Sequence, residues 1–139
     1  MIIRTFLLGF VLCLLFQTGE AQAQRLRDRI GNSIGRIDSD GTVRDRIGNA
    51  IGRIDSNGTI RDRIGNSVGR IDNRGVFRDR IGNSIGRIDD DGTVRDRTGN
   101  RVGRIDDDGT VRDRIGNRLG QASGIPKAWA AAVFFFDYF

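Results

Sequence analysis

The chain has 139 residues, 23 basic and 18 acidic side chains, a net charge of +5, 20 glycines, one cysteine and no histidine. One cysteine excludes an internal disulfide framework, and the lack of histidine removes the commonest general base and metal ligand. The length fits a single domain, and tight alternation of Arg and Asp points to a solvated, salt-bridged surface.

Residues 1–23 read as an export signal. Arg4 supplies the positive start, Phe6 to Phe16 the apolar stretch, and Ala21-Gln22-Ala23 a small-x-small cleavage site before Gln24. The apolar run is too short for a spanning helix. Cys13 follows Leu12, which argues against a lipoprotein site. The expected location is therefore periplasmic, outer-envelope associated or secreted.

Residues 24–120 are built from a seventeen-residue unit starting at Arg27, Arg44, Arg61, Arg78 and Arg95, with a partial sixth copy from Arg112 to Gly120. A fixed period identifies repeat architecture before any other signal is weighed. Every copy opens Arg-Asp-Arg, and Gly-Asn follows at a constant offset. Each full unit holds two Asp-x-x-Gly turns. The first is a connector such as Asp45–Gly48. The second is a hairpin turn, found at Asp38–Gly41, Asp55–Gly58, Asp72–Gly75, Asp89–Gly92 and Asp106–Gly109. The Asp carboxylate accepts a backbone N–H two residues on, and Gly supplies the positive φ of the exit. The runs between the turns, such as Ala50–Ile54 and Thr59–Arg61, are β-branched and too short for helices. Simple alternation places Ile51 and Arg53 on one face, Gly52 and Ile54 on the other. The repeats therefore predict five β-hairpins, and a closed ring is favoured over a linear solenoid because closure removes exposed edges.

Residues 121–139 break the pattern at Gly124-Ile125-Pro126 and then run apolar from Ala128 to Phe136. Nine apolar residues cannot span a bilayer as a helix, and left exposed they would aggregate. Each repeat supplies only about four aliphatic side chains, so the repeat body needs more apolar surface. The expectation is a plug, with Trp129, Phe134, Phe135 and Phe136 filling the centre. A docking tail is the alternative. An outer-membrane barrel is disfavoured, because membrane strands need about 9–11 residues and a charge-free lipid face.

Candidate chemistry is sparse. Lys127 and Tyr138 stand alone in the tail, and the Asp89/Asp91 pair reads as turn chemistry, so no catalytic residues and no cofactor are assigned. Asp89–Gly92 and Asp106–Gly109 echo a calcium loop but lack its terminal Glu, and no metal ligands are assigned. Arg36, Arg53, Arg70, Arg87 and Arg104 recur at one slot and form a candidate anion-binding ring for glycan, lipopolysaccharide or phosphate groups. The competing reading pairs each of them with a neighbouring Asp, such as Asp38 or Asp55. Nucleic acid is an unpromising partner: no helix is expected to enter a groove, and only Phe77 interrupts the basic repeats.

The order Gly-Arg-Ile-Asp-x-x-Gly, short strand, Asp-x-x-Gly, then aliphatic-Gly-Arg-Ile resembles the five-fold beta-flower proteins. The likeness covers Arg27 to Gly120 and is supported by Trp129 to Phe136. It implies a small exported bacterial protein of five hairpin repeats with an alanine- and phenylalanine-rich C-terminus. The family's Tyr before the connector Asp is Arg here, as at Arg44, and its Ser-Asn is Arg-Ile, as at Arg46-Ile47. The resemblance implies fold and export and carries no activity. The expected fold is all-β, five hairpins in a closed radial arrangement around an apolar plug. The expected role is a non-enzymatic structural or interaction module of the cell envelope.

Overall fold

The computed structural model describes residues 24–136 and 138–139. The expected export segment, residues 1–23, lies outside the described residues. Twelve short strands follow one another: β1 (Arg25–Asp28), β2 (Ser33–Ile37), β3 (Thr42–Asp45), β4 (Ala50–Ile54), β5 (Thr59–Asp62), β6 (Ser67–Ile71), β7 (Val76–Asp79), β8 (Ser84–Ile88), β9 (Thr93–Asp96), β10 (Arg101–Ile105), β11 (Thr110–Asp113) and β12 (Arg118–Gln121). Among the described residues one helix, α1 (Lys127–Phe134), comes last. Each strand pairs antiparallel with its sequence neighbours, and β1 pairs with β12 to close a barrel.

The five hairpins read from the sequence are present as β2–β3, β4–β5, β6–β7, β8–β9 and β10–β11. A sixth of the same geometry is assembled from the two ends of the repeat region. Asp28 lies opposite Gly120 and Arg27 opposite Gln121, the register that Asp45 and Gly35 hold in β2–β3. The carbonyl of Gln24 accepts the Ile37 N–H at 3.1 Å, as the Gly41 carbonyl accepts Ile54 at 2.8 Å. The partial sixth repeat and the residues before the first are thus two halves of one unit. Closure leaves no strand edge unpaired.

Because consecutive strands run antiparallel, alternate turns lie at opposite ends of the barrel. The six connectors, beginning at Asp28, Asp45, Asp62, Asp79, Asp96 and Asp113, form one rim. The five hairpin turns form the other.

The core has two layers. Leu26, Val43, Ile60, Phe77, Val94 and Val111 form one, all 2% exposed or less. Ile37, Ile54, Ile71, Ile105 and Ala122 form the other, with Ile88 partly buried in the same slot. Simple alternation fails at one place. Val43 pairs with Gly52 and Arg44 with Ala50, so Ile51 is an extra, bulged residue. Ile51 consequently packs against the core while Arg53 stays exposed. A bulge of this kind bends the strand and increases its twist, which helps close a ring of such short strands.

The tail contains the helix that the repeat pattern does not foretell. Pro126 precedes α1, where its missing N–H costs nothing, and the alanine run favours helix. Ala130, Ala131 and Ala132 are fully buried. Small side chains let this helix enter a space that a leucine-rich helix would overfill.

Candidate functional site

The interior is occupied by the chain's own aromatic residues. A Cβ built at Gly120 would meet the Phe134 ring at 2.8 Å, and one at Gly86 would meet the Phe136 ring at 2.6 Å. The rings of Phe135, Tyr138 and Phe139 lie equally close over Gly103, Gly69 and Gly52. The tail therefore lays successive rings over successive glycines, one per even-numbered strand, travelling from β12 back to β4. Phe136 stacks on buried Phe77 with centroids 4.3 Å apart. The Tyr138 hydroxyl donates to the Arg78 carbonyl at 2.8 Å. Burial, with the Asp79 charge as a lesser cause, pushes that hydroxyl well above its usual range. Trp129 sits apart, beside the hairpin turns at Asn57 and Asn73. Tyr138, half-buried, and Phe139, still 38% exposed at the end of the row, extend the plug although the sequence pattern singled out only Trp129 and the three phenylalanines before Asp137.

On the outer wall four of the five full units are stitched by two arginines on one carboxylate. Asp38 accepts Arg36 Nε at 3.0 Å and Arg44 Nε at 2.8 Å. Asp55 does the same for Arg53 and Arg61 at 3.0 and 2.7 Å. Asp89 holds Arg87 and Arg95, and Asp106 holds Arg104 and Arg112. Arg95, then Arg87, holds the Asp89 carboxyl below its ordinary range. Four of the five arginines in the candidate anion ring are thus paired with a carboxylate.

The fifth, Arg70, has a legible reason to differ. In the other hairpin turns the third residue caps the turn: Asp40 Oδ1 accepts the Thr42 N–H at 3.0 Å, and Asn57, Asp91 and Asp108 act alike. The third unit has Arg74 in that place. Asp72 takes over and accepts the N–H groups of both Arg74 and Val76 at 3.0 Å. It retains only a 3.5 Å contact with Arg78, and among the described residues no carboxylate lies within bridging distance of Arg70.

At the connector rim the two arginines of Arg-Asp-Arg separate in role. The first clamps the turn: Arg44 Nη1 donates to the Gly48 carbonyl at 3.0 Å, and the equivalent bond recurs in all six connectors. The Asp between them ties the loop: Asp45 Oδ1 accepts Ile47 N–H at 3.1 Å and Asn49 N–H at 2.9 Å. Desolvation opposes ionisation of Asp45, but these amides together outweigh it and keep its carboxyl below the ordinary range. Gly48 adopts φ +98° with open space where a Cβ would be, so the backbone conformation and not crowding demands glycine.

The second arginine makes neither bond. Arg29, Arg46, Arg63, Arg80, Arg97 and Arg114 are all exposed, with no carboxylate within bridging distance among the described residues. Beside them stand Ile30, Ile47, Ile64, Ile81 and Ile115, each 78–80% exposed. A circle of unbridged guanidinium groups therefore exists at the connector slot, away from the slot of Arg36. Sequence reasoning missed it because both arginines of Arg-Asp-Arg are invariant, and spacing alone does not tell the clamp from the free one.

Five of the six carboxylates in the two acidic hairpin turns are engaged: Asp89 and Asp106 by two arginines each, Asp91 by Thr93 N–H, Asp108 by Thr110 N–H and Asp107 by Lys127, while Asp90 has no partner among the described residues.

A family model described as 5-fold beta-flower protein matches residues 16–138. No curated protein and no solved structure matches the chain.

Proposed function

The chain belongs to the 5-fold beta-flower family, and from that membership we propose that it is a non-enzymatic interaction module, exported to the cell envelope. The observation that supports this most is the division of the molecule. The interior is filled by the tail's own rings, and the outer wall is stitched by Arg–Asp pairs. Six repeated arginines and five isoleucines, by contrast, have no internal task and gather at one rim. Repetition of one weak contact around a rigid ring is how such a scaffold gains avidity. Export is read from residues 1–23, with processing between Ala23 and Gln24.

The test is site-specific photo-crosslinking in intact cells, with the probe at position 47 on the rim or at position 53 on the stitched wall. The proposal expects a discrete adduct from position 47 and none from position 53. Equal crosslinking from both, or an intact mass retaining residues 1–23, would contradict it.

A second reading, an anionic-ligand binder, is favoured by the unbridged arginines of the rim. The ligand class is a glycan, lipopolysaccharide or other phosphate-bearing group. In this reading the contact falls on Arg29, Arg46, Arg63, Arg80, Arg97 and Arg114. Of Arg36, Arg53, Arg70, Arg87 and Arg104, only Arg70 would contribute without first releasing an Asp. Binding to heparin and lipopolysaccharide in low and high salt tests it. Absence of salt-sensitive binding would remove it.

A further inference from the structure

We propose that the connector rim is a docking face for an anionic phospholipid bilayer, with the rim isoleucines entering the interface and the rim arginines meeting lipid phosphates. This rests on the anionic-ligand reading and names its partner.

Turn chemistry does not explain the isoleucines. The turn needs Asp at its first position and Gly at its fourth. The fifth connector carries Thr98 in the Ile slot, and its N–H still donates to Asp96 at 3.0 Å while its hydroxyl adds a bond at 2.9 Å. A polar residue thus serves the turn at least as well, yet five of six connectors expose an aliphatic side chain to solvent. A soluble polyanion would need only the arginines. A lipid surface uses both groups, phosphate for guanidinium and the acyl boundary for isoleucine.

The ends of the barrel differ in the required sense. The hairpin rim presents Asp40, Asp90, Asp91, Asp107 and Asp108 against one tip cation, Arg74, and Lys127 bonded to Asp107, and it has no aliphatic tip residue. The connector rim presents free arginines and isoleucines. An anionic surface attracts one end and repels the other, which sets the orientation. Each connector tip is already held by its Asp and its clamping Arg, so little is lost in ordering it on contact. The strands have four or five residues, about half of what a membrane-spanning strand needs. The geometry therefore fits docking at the surface.

The test is flotation of the full chain, and in parallel of a form beginning at Gln24 that keeps every strand, with phosphatidylcholine vesicles lacking or containing phosphatidylglycerol. Two variants are compared within each form: Ile47→Ser/Ile64→Ser/Ile81→Ser and Arg46→Gln/Arg63→Gln/Arg80→Gln. All six positions are exposed, and circular dichroism checks that both variants fold. The proposal expects the form beginning at Gln24 to bind anionic vesicles in preference to neutral ones. Each triple variant should bind about tenfold more weakly or worse. An isoleucine variant that binds as tightly as the parent would overturn bilayer docking, while heparin binding lost with the arginines would leave the anionic-ligand reading standing. Failure to bind both anionic vesicles and heparin would overturn the two together. Equal binding of the Gln24 form to neutral vesicles would remove the role assigned to charge.

Discussion

The fit between tail rings and strand glycines predicts a measurable coupling between Gly86 and Phe136. Phe136→Ala removes a half-buried ring that stacks on fully buried Phe77 at 4.3 Å. Full burial would cost about 3–5 kcal/mol, and partial exposure lowers the expectation to about 2–3 kcal/mol. Gly86→Ala would place a Cβ 2.6 Å from two carbons of the same ring and 2.5 Å from the Arg95 carbonyl oxygen. Ordinary contact is 3.4 Å or more, so the ring must move and Phe77 loses its partner, at about 2–3 kcal/mol for such overpacking. In the double variant the ring is absent and only the carbonyl remains to be accommodated. The two losses should therefore fall short of additivity by about 1–2 kcal/mol. Urea denaturation of the parent, both single variants and the double variant measures the cycle. Additivity within about 0.5 kcal/mol would refute the claim that this glycine exists to receive this ring.

The chain has one tyrosine, so its ultraviolet titration is unambiguous. Burial, then the Asp79 charge, raises the Tyr138 pKa, so its stabilisation is complete below the unfolded value of about 10 and is lost as pH rises toward the folded value. Absorbance should show no phenolate until the barrel opens in alkali; a reversible midpoint near 10 in the folded protein would contradict this burial. At the acid end, Arg95 lowers Asp89, Thr93 N–H lowers Asp91 and Lys127 lowers Asp107. Depressed carboxylates stabilise above their unfolded pKa of ~3.9 and lose that contribution as pH falls through the folded values. Thermal midpoints should be flat from neutral pH down to about 5 and then fall below about 4, the chain having no histidine. Arg74→Asp should restore the turn cap used elsewhere, free Asp72 to hold Arg70 and Arg78, and raise stability by about 0.5–1 kcal/mol. A neutral or destabilising result in urea would show that Asp72 does not act as the substitute cap.

Much of this architecture was legible because the repeat states each local rule several times over. Asp-x-x-Gly marked every turn, and the Asp carboxylates do tie the backbone as that motif demands. The sixth hairpin was hidden because its halves stand nearly a hundred residues apart, and no turn joins them. Simple alternation groups Ile51 with Arg53, and the bulge separates them; the repeated Gly52 signals a bend or close approach there without fixing which residue is the extra one. Helix α1 is not legible in the sequence since an apolar run bounded by Pro fits several structures, and only the alanines favour this one. The separation of clamping from free arginine depends on which side of Asp45 the chain reaches its own turn. That distinction appears only once the connector is folded. Among the plug residues, Phe134, Phe135 and Phe136 were readable as an apolar block, whereas Tyr138 and Phe139 were recognised only through the glycines they cover.

The claim on which the rest depends is that the tail's rings lie inside the barrel, one above each even-strand glycine from β12 to β4. Nuclear Overhauser spectra with selectively labelled Phe, Tyr and Gly test it most directly. The account predicts ring-to-Hα cross-peaks pairing Phe134 with Gly120, Phe135 with Gly103, Phe136 with Gly86, Tyr138 with Gly69 and Phe139 with Gly52. Sharp, solvent-exposed ring signals with no contact to these glycines would contradict it.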